Sequence, residues 1–264
     1  MKTILITGVC GGMGQAICNR MLQKGYQVYG LDCQKREPAS GMHFIQCDIT
    51  SAESVEAAFE RVKMSVDRID AIVHTAGIYD LDSLLEMEEE RFRRIFEINL
   101  FGVYRVNKIF TPILDRGGRI IITTSELAPL DPLPFTGIYA VTKAALEKYA
   151  YSLRMEVNLL GISVSVIRPG AVKTSLLRDS TQALDRFCDS TQLYHCNAEK
   201  FRRIVDLVEA KHVAPEVIAD IVCKALESRH PKLVYNVNRN ILLKLLNLLP
   251  DSMQTAIIKR ILRV

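Results

Sequence analysis

Apolar runs of strand length alternate with longer segments of helical periodicity along most of the chain. Valine, isoleucine and leucine fill successive positions in these runs, which is typical of parallel strands buried on both faces. Segments such as 55–64 and 88–110 repeat apolar residues at helical spacing. The pattern predicts an α/β fold with a doubly wound, seven-stranded parallel sheet and helices on both faces. The seven runs are residues 2–7, 26–32, 43–48, 69–75, 118–125, 162–170 and 232–237.

Length and composition favour one large domain over two small ones. The chain has 264 residues, of which 48% are hydrophobic and 24% charged, as in globular rather than disordered proteins. The sequence shows no internal repeat and no linker. We predict a single domain over residues 1–238, in which residues 174–213 form an insert, followed by a helical tail over residues 239–264.

The net charge of +4 is too small to indicate a nucleic-acid partner, but the tail is strongly basic. Residues 239–264 contain five basic residues and one acidic residue. Their pattern predicts a short apolar helix, a break at Pro250 and a cationic amphipathic helix, each too short to span a bilayer. Such a tail can lie on an anionic membrane surface, pack on its own domain or contact a partner subunit, and the sequence leaves all three open.

The cysteines favour a reducing compartment. There are seven of them, with no CxxC pair, in a chain without a recognisable signal peptide. This pattern predicts free thiols and a cytoplasmic protein, peripheral at a membrane if the tail binds lipid. A zinc site at Cys188, His195 and Cys196 is the alternative, but a fourth ligand at a recognisable spacing is missing. We therefore predict no metal.

A glycine-rich turn follows the first predicted strand. Residues 7–14 read TGVCGGMG and lead into a helix-length segment. Glycines allow a tight turn and a close approach of the backbone to a pyrophosphate, which then lies on the amides at the positive end of the helix. The strand-turn-helix context predicts a Rossmann-type dinucleotide site, with a simple packing turn as the alternative.

Asp32 ends the second predicted strand, where a carboxylate meets the adenosine ribose in such sites. Because a carboxylate binds the two ribose hydroxyls and repels a 2′-phosphate, Asp32 favours NAD. Lys35 and Arg36 follow closely, and a loop that folds back would place a guanidinium on a 2′-phosphate. The sequence therefore predicts NAD and leaves NADP as the less favoured cofactor.

Tyr139 and Lys143 are four residues apart in the segment YAVTK. In a helix they share one face, with the ammonium in reach of the phenol. Oxidation of an alcohol needs a base, and a phenol becomes one at neutral pH only if its pKa falls by about 3 units, or about 4 kcal/mol. A nearby ammonium favours the phenolate, so we predict that Lys143 supplies much of this decrease, helped by the positive nicotinamide of the oxidised cofactor. An ordinary helical pair is the commoner interpretation of the spacing alone.

Together these motifs resemble the short-chain dehydrogenase/reductase family over residues 2–237. The turn fits the family's TGxxxGxG through Gly8, Gly12 and Gly14. It also fits the TGxxGxxG of the longer sugar-nucleotide epimerases if Gly11 replaces Gly12, and the chain length favours the shorter branch. The resemblance implies an NAD(P)-dependent alcohol dehydrogenase or ketone reductase, which forms a homodimer or homotetramer through its central helices.

Other positions extend the resemblance. Asn99 in EINLFG and Ser125 after GRIIITT resemble the active-site asparagine and serine, completing a catalytic set with Tyr139 and Lys143. By this resemblance Asn99 would hold a water, Ser125 the substrate oxygen and Lys143 the nicotinamide ribose. HTAG, at 74–77, departs from the usual NNAG and puts a sheet-stabilising asparagine contact in doubt. The implied cofactor contacts are Gly8, Gly11, Gly12, Met13, Gly14, Asp32, Asp48, Ile49, Ala76, Gly77, Tyr139, Lys143, Pro169, Gly170, Val172 and Thr174.

The identity of the serine depends on one extra residue. Ser125 precedes Tyr139 by one position more than is usual in the family, and the usual count selects Glu126. We interpret the proline-containing segment LAPLDPLPF as a one-residue loop insertion, because GRIIITTS itself aligns well. Thr124 is the alternative hydroxyl.

The insert after the PG of residues 169–170 is long enough to form a lid or a substrate wall. The layout is similar to that of steroid and retinol dehydrogenases, which favours a lipophilic alcohol or ketone. His195 is expected at the surface rather than on the substrate. A dinucleotide-binding regulator without turnover is the alternative function. The apolar residues that would line the pocket, or else pack the insert itself, are Leu176, Leu177, Leu184, Phe187, Leu193 and Tyr194.

Overall fold

A parallel sheet of seven strands forms the centre of the computed structural model, in the order β3-β2-β1-β4-β5-β6-β7. The structure describes residues 2–35, 41–209 and 211–263, so Arg36 lies outside the described residues. The predicted fold class is confirmed. The strands are β1 (Thr3–Thr7), β2 (Gln27–Asp32), β3 (Met42–Gln46), β4 (Ile69–His74), β5 (Leu114–Thr123), β6 (Ser163–Pro169) and β7 (Val234–Val237).

Helices cover both faces of the sheet. One face packs mainly against α2, α4 and α5, and the other against α1 and α8. Each face is sealed by aliphatic side chains, because strands buried on both sides need apolar residues in every position. The helices are α1 (Gly12–Gln23), α2 (Ala52–Lys63), α3 (Glu89–Phe96), α4 (Gly102–Phe110), α5 (Gly137–Val157), α6 (Ser175–Ser190), α7 (His195–Glu209), α8 (Pro215–Glu227), α9 (Ile241–Leu246) and α10 (Asp251–Leu262).

Two elements differ from the sequence prediction. Residues 88–110 do not form one regular helix, because a π-helical turn over Glu97–Phe101 separates α3 from α4. A π turn inserts one extra residue at a single point, and the segments on either side keep helical spacing, so periodicity alone does not locate it. Strand β5 begins at Leu114 rather than 118, and its pairing with β4 jumps from Leu114 to Arg119 across Gly117. Charged residues and glycines in this bulge had interrupted the apolar run.

The insert and the tail pack together beside the sheet. Aromatic and aliphatic side chains of α6 and α7 form a separate apolar cluster that also buries Leu262 of α10. The Asn197 side chain donates a hydrogen bond to the Leu262 carbonyl at 2.7 Å, and Gln254 of α10 donates to Asp131 at 3.2 Å. Of the three roles open to the tail, the structure thus shows packing on its own domain.

The described parts of the chain contain neither a membrane-spanning helix nor a cluster of metal ligands. No helix in those parts is both long enough and apolar enough to cross a bilayer. All seven cysteines are free thiols. Within residues 2–35, 41–209 and 211–263, no three side chains of metal-ligating type converge on a common point, including those around Cys188, His195 and Cys196.

His74 and Thr75 replace the asparagines expected after β4. The Thr75 hydroxyl donates to the Thr7 carbonyl at 2.7 Å, so a hydrogen bond still joins β4 to β1. His74 is buried, with Nε2 2.9 Å from Oδ1 of Asn107, whose Nδ2 donates to the hydroxyl of Tyr149. This orientation makes Nε2 the donor and leaves Nδ1 without a partner among the described residues.

Burial of the His74 ring makes the stability of the protein depend on pH. Burial lowers the pKa of His74 from 6.5 to about 4. The unfolded chain therefore takes up a proton below about pH 6.5 that the folded protein refuses until about pH 4, and the free energy of unfolding falls as the pH drops through that window. We expect a loss of about 2 kcal/mol between pH 7.5 and pH 5 from this group.

Denaturant unfolding of His74→Asn at the two pH values tests this expectation. The variant should lose that part of the pH dependence, whereas His230→Asn, which changes an exposed histidine, should keep it. An unchanged pH dependence in His74→Asn would show that another group is responsible.

Candidate active site

A cavity of about 170 Å³ lies at the carboxyl ends of the strands. The chain passes from β3 at one edge of the sheet back to β4 beside β1, so the strand order reverses between β1 and β4. Ligands of doubly wound sheets bind at such reversals. The cavity is lined by residues from the glycine turn, the end of β5, α5, the segment after β6, the insert and α9.

The glycine turn packs closely on the chain that follows β4. Gly8 has φ of 73°, and a Cβ atom at this position would lie 2.5 Å from the Ala76 nitrogen. A Cβ at Gly14 would lie 2.2 Å from the Gly8 carbonyl oxygen. No other residue fits either position, since real Cβ atoms do not approach backbone this closely. Gly12 meets Thr174, whereas a Cβ at Gly11 would be only moderately crowded, so packing favours the TGxxxGxG interpretation.

The start of α1 offers a site for an anion. Gly11 is its N-cap residue, and no side chain caps the first turn. The amides at Gly12 and Met13 therefore lie at the positive end of the helix with their hydrogen-bonding capacity available to a phosphate. This cradle fits the pyrophosphate of a dinucleotide.

Asp32 lies next to this turn at the end of β2. Its carboxylate accepts hydrogen bonds from the amides of Cys10 at 2.9 Å and Gln34 at 3.0 Å, one on each oxygen. These contacts orient the carboxylate and leave lone pairs for the two hydroxyls of a ribose. Lys35 is exposed beyond it. The described residues thus fit the adenosine half of a dinucleotide.

Asp48 and Ile49 follow β3 at the same end of the sheet. The Asp48 carboxylate is exposed and accepts hydrogen bonds from the amide and hydroxyl of Thr50. The Ile49 side chain is buried against Gly102 of α4. The structure therefore uses this isoleucine side chain for packing and does not bring it to the cavity.

The segment from Pro169 to Thr174 folds across the glycine turn. The Gly170 amide donates to the Val237 carbonyl at 2.8 Å, and Val172 forms a parallel bridge with Val213. The Thr174 methyl group then lies against Gly12. These contacts place Pro169, Gly170, Val172 and Thr174 in the cavity wall together with Met13 and Gly77.

Ser125, rather than Thr124, faces the tyrosine. A hydrogen bond joins the side chains of Ser125 and Tyr139. The Thr124 hydroxyl points elsewhere, toward Oε2 of Glu147 at 3.4 Å and the Ile167 carbonyl at 3.3 Å. Successive side chains at the end of a strand point to opposite sides, so the Thr124 and Ser125 hydroxyls point in different directions.

Lys143 and Asn99 lie behind the tyrosine. The Lys143 ammonium donates to the Thr123 carbonyl at 3.3 Å and is 5.6 Å from the centre of the Tyr139 ring. Asn99, in the π turn, accepts from the Ile78 amide at 2.9 Å and donates to the Ile78 carbonyl and the Thr142 hydroxyl. The Asn99 side chain thus joins the chain after β4 to α5, and a water held by it stays a prediction.

The protein's own side chains raise the pKa of Tyr139, contrary to the expectation that Lys143 supplies much of a decrease. Burial raises the pKa of the phenol to about 12, and the hydrogen bond from Ser125 lowers it by less. Burial also lowers the pKa of Lys143 to about 8. Both groups are taken out of water, and for the phenol the cost of desolvating the charged form outweighs the effect of the Ser125 hydrogen bond. Tyr139 is therefore protonated at neutral pH.

The apolar part of the cavity wall comes from several segments. Of the insert residues considered from the sequence, Leu176 and Leu177 line it. Leu184, Phe187 and Tyr194 instead pack inside the insert, and Leu193 and His195 are exposed. Nine apolar residues that the sequence did not single out also line the cavity: Ile78, Tyr79, Leu127, Leu133, Ala171, Phe201, Ile204, Val205 and Leu243. Phe201, Ile204 and Val205 share one face of α7, whereas the others come from separate segments and carry no local signal.

Glu126 is a buried carboxylate in the cavity wall that sequence reasoning set aside. One of its oxygens, Oε2, accepts a hydrogen bond from the Asn240 amide at 2.6 Å, at the start of α9. Burial raises the pKa of Glu126. Glu126 therefore anchors the start of α9, the helix that contributes Leu243 to the cavity.

Comparisons with known proteins agree with this geometry. A sequence model described as short chain dehydrogenase matches residues 2–185. The chain is 25% identical to the 3-ketodihydrosphingosine reductase of Bacteroides thetaiotaomicron, covering 87% of this chain and 85% of the relative. It is 28% identical to the uncharacterized oxidoreductase YusZ of Bacillus subtilis, covering 98% of each.

A solved structure has the same fold. The short-chain dehydrogenase of Streptomyces avermitilis superposes with a TM-score of 0.76 at 24% identity, covering 98% of this chain and 93% of that one. The family match spans well over half of the chain and includes the glycine turn, Asp32, Asn99, Ser125, Tyr139 and Lys143. The chain therefore belongs to the short-chain dehydrogenase/reductase family of NAD(P)-dependent oxidoreductases.

Proposed function

We propose that this protein transfers a hydride between NAD(H) and a lipophilic secondary alcohol or ketone. The observation that carries the proposal is the Tyr139 phenol, which is hydrogen-bonded to Ser125 and buried in an apolar cavity beside Lys143. A protein that only binds a dinucleotide has no need of this arrangement. A catalytically silent regulator of the same fold is the alternative, and only a measurement of turnover separates the two.

The described residues provide for each half of the cofactor. The nicotinamide, when bound, supplies or accepts the hydride. The glycine turn and the start of α1 would hold the pyrophosphate, and Asp32 the adenosine ribose. Lys143 would hold the second ribose, with Val172 and Thr174 beside the carboxamide. Asp32 supports NAD over NADP, because its negative charge repels the 2′-phosphate of NADP.

The proton moves through Tyr139. A phenol that is protonated at neutral pH can give its proton to the oxygen of a ketone during reduction. Oxidation of an alcohol needs the phenolate instead, which Lys143 and the positive charge of an oxidised nicotinamide would favour. The Ser125 hydroxyl, next to the phenol, would donate to the substrate oxygen and stabilise the charge that develops there.

The cavity wall supports a lipophilic substrate. Apolar side chains from α6, α7 and α9 line the same cavity as the phenol, including Leu177, Phe201 and Leu243. A mostly apolar pocket with a few polar groups at one end selects substrates by shape and hydrophobicity. The name of the Bacteroides relative, 3-ketodihydrosphingosine reductase, describes a ketone on a long-chain lipid. We extend this substrate class to the present chain as part of the proposal.

We also propose a cytoplasmic homodimer or homotetramer that assembles through its central helices. Exposed aromatic and aliphatic side chains on the π turn, α4 and α5 support this arrangement, since large apolar residues on a surface favour contact with another subunit. They include Phe101, Tyr104, Tyr151 and Met155. The proposed division of the chain is a catalytic domain over 1–238, with the insert at 174–213, and the tail over 239–264.

Turnover by Tyr139 can be tested with a panel of steroids, retinoids and aliphatic ketones, followed by NADH absorbance. With any ketone that the protein reduces, Tyr139→Phe should lower kcat by about a thousandfold, because the proton donor is removed. NADH binding should be retained. Tyr151→Phe, on the exposed side of the same helix, is the control and should keep its activity. Substantial activity in Tyr139→Phe would rule out the mechanism.

The choice between the two adjacent hydroxyls gives a second prediction. Ser125→Ala should lower kcat by about a hundredfold or more, because the donor to the substrate oxygen is lost. Thr124→Val should change kcat little, since the Thr124 hydroxyl faces Glu147 and Ile167. Steady-state kinetics with the same ketone measures both, and the reverse order of effects would make Thr124 the catalytic hydroxyl.

Cofactor preference gives a third prediction. Fluorescence titration should show tighter binding of NADH than of NADPH, because the Asp32 carboxylate repels the 2′-phosphate. Asp32→Ala should reduce this preference by about tenfold or more, equivalent to losing one charge-assisted contact of about 1.5 kcal/mol. Gln34→Ala, two residues further along, should leave it unchanged. Equal affinities in the parent protein would contradict the assignment.

A further inference from the structure

Helix α9 is apolar on both of its sides. Leu243 faces inward and lines the cavity. Ile241, Leu242 and Leu245 lie on the opposite side and Leu248 follows the helix, and each of these residues is between 55% and 78% exposed. We refer to these four residues as the outer face of α9. A cluster of exposed apolar residues favours contact with another surface, so the outer face is expected to have an occupant.

The charges of the tail identify the kind of occupant. Lys244, Lys259, Arg260 and Arg263 are exposed, and Asp251 is the one acidic residue between 239 and 263. Exposed leucines on a tail that also carries exposed cations fit the surface of an anionic bilayer, which takes up apolar side chains and attracts basic ones. A second copy of this chain, packed tail to tail, would bring like charges together. Charge complementarity therefore favours lipid over a second subunit.

The helix is held in place before it binds anything. Glu126 accepts the hydrogen bond of the Asn240 amide, and the Asn240 side chain accepts from the amides of Leu242 at 2.8 Å and Leu243 at 3.2 Å. Asn247, at the other end of the helix, accepts from the Asp131 amide at 2.6 Å. A surface that is already ordered loses little conformational entropy on docking.

We propose that the outer face of α9 docks on the surface of an anionic lipid bilayer and brings the cavity to the membrane, so that an apolar substrate enters from the lipid. The path is short, since the outer face and Leu243 are opposite sides of one helix. The part of the proposal that concerns substrate entry rests on the lipophilic alcohol or ketone proposed above. The docking itself does not depend on turnover.

Flotation of the full chain with vesicles tests the docking. The protein should float with vesicles of phosphatidylcholine and phosphatidylglycerol, and much less with phosphatidylcholine alone or at high salt. Leu242→Ser/Leu245→Ser/Leu248→Ser should reduce the bound fraction by about tenfold or more. Met64→Ser/Leu159→Ser/Leu160→Ser, referred to as the α5 control, removes similarly exposed apolar side chains, two of them at the end of α5, and should leave flotation unchanged.

Three outcomes would overturn the docking: no flotation of the parent, equal flotation of the α9 variant, or equal loss in the α5 control. Light scattering distinguishes the other occupant, since a smaller oligomer for the α9 variant would assign the outer face to a second copy. Thermal melting and NADH binding verify that both variants are folded.

Substrate entry is tested with a ketone that the parent reduces. The α9 variant should lose about tenfold or more in rate when this ketone is embedded in anionic vesicles, and keep its rate on a short, water-soluble ketone. Equal rates on the embedded ketone would overturn entry from the lipid. If no ketone is reduced while flotation persists, the proposed function is wrong and the docking stands.

Discussion

Backbone contact between the ends of β1 and β4 fixes the geometry of the whole site. Gly8 and Gly14 allow the turn to lie directly on the chain at Ala76, which leaves the start of α1 facing the point where the strand order reverses. The next residue, Gly77, lies against both Asn99 and the Lys143 ammonium. A side chain at either turn position would separate the start of α1 from Tyr139 and Lys143, so the proposed binding and chemistry depend on one close contact.

Desolvation then sets the protonation of the two side chains proposed as catalytic. Burial raises the pKa of Tyr139, which keeps the phenol neutral, and lowers the pKa of Lys143 to about 8. Their protonation is therefore sensitive to what shares the cavity with them. In the proposed mechanism the phenol gives a proton, and it becomes a base only when further positive charge arrives.

The sequence predicted what depends on neighbours along the chain. Local spacing indicates the doubly wound parallel sheet, the glycine turn, Asp32 and the Tyr139–Lys143 pair, because a strand or a helix fixes which residues share a face. The π turn at Asn99, the cavity residues Phe201 and Leu243, and the sign of the Tyr139 pKa shift were not predictable. These depend on packing between distant segments, which no local pattern records.

The hydrogen bond between Glu126 and Asn240 joins residues that are 114 positions apart. During synthesis the sheet can form as soon as β7 has left the ribosome, but the cavity acquires its last wall only when α9 follows and reaches this carboxylate. Contacts between such distant residues close late, after the entropy of the intervening loop has been overcome. A nascent or C-terminally shortened chain would therefore have the nucleotide-binding sheet but an incomplete cavity at its carboxyl edge.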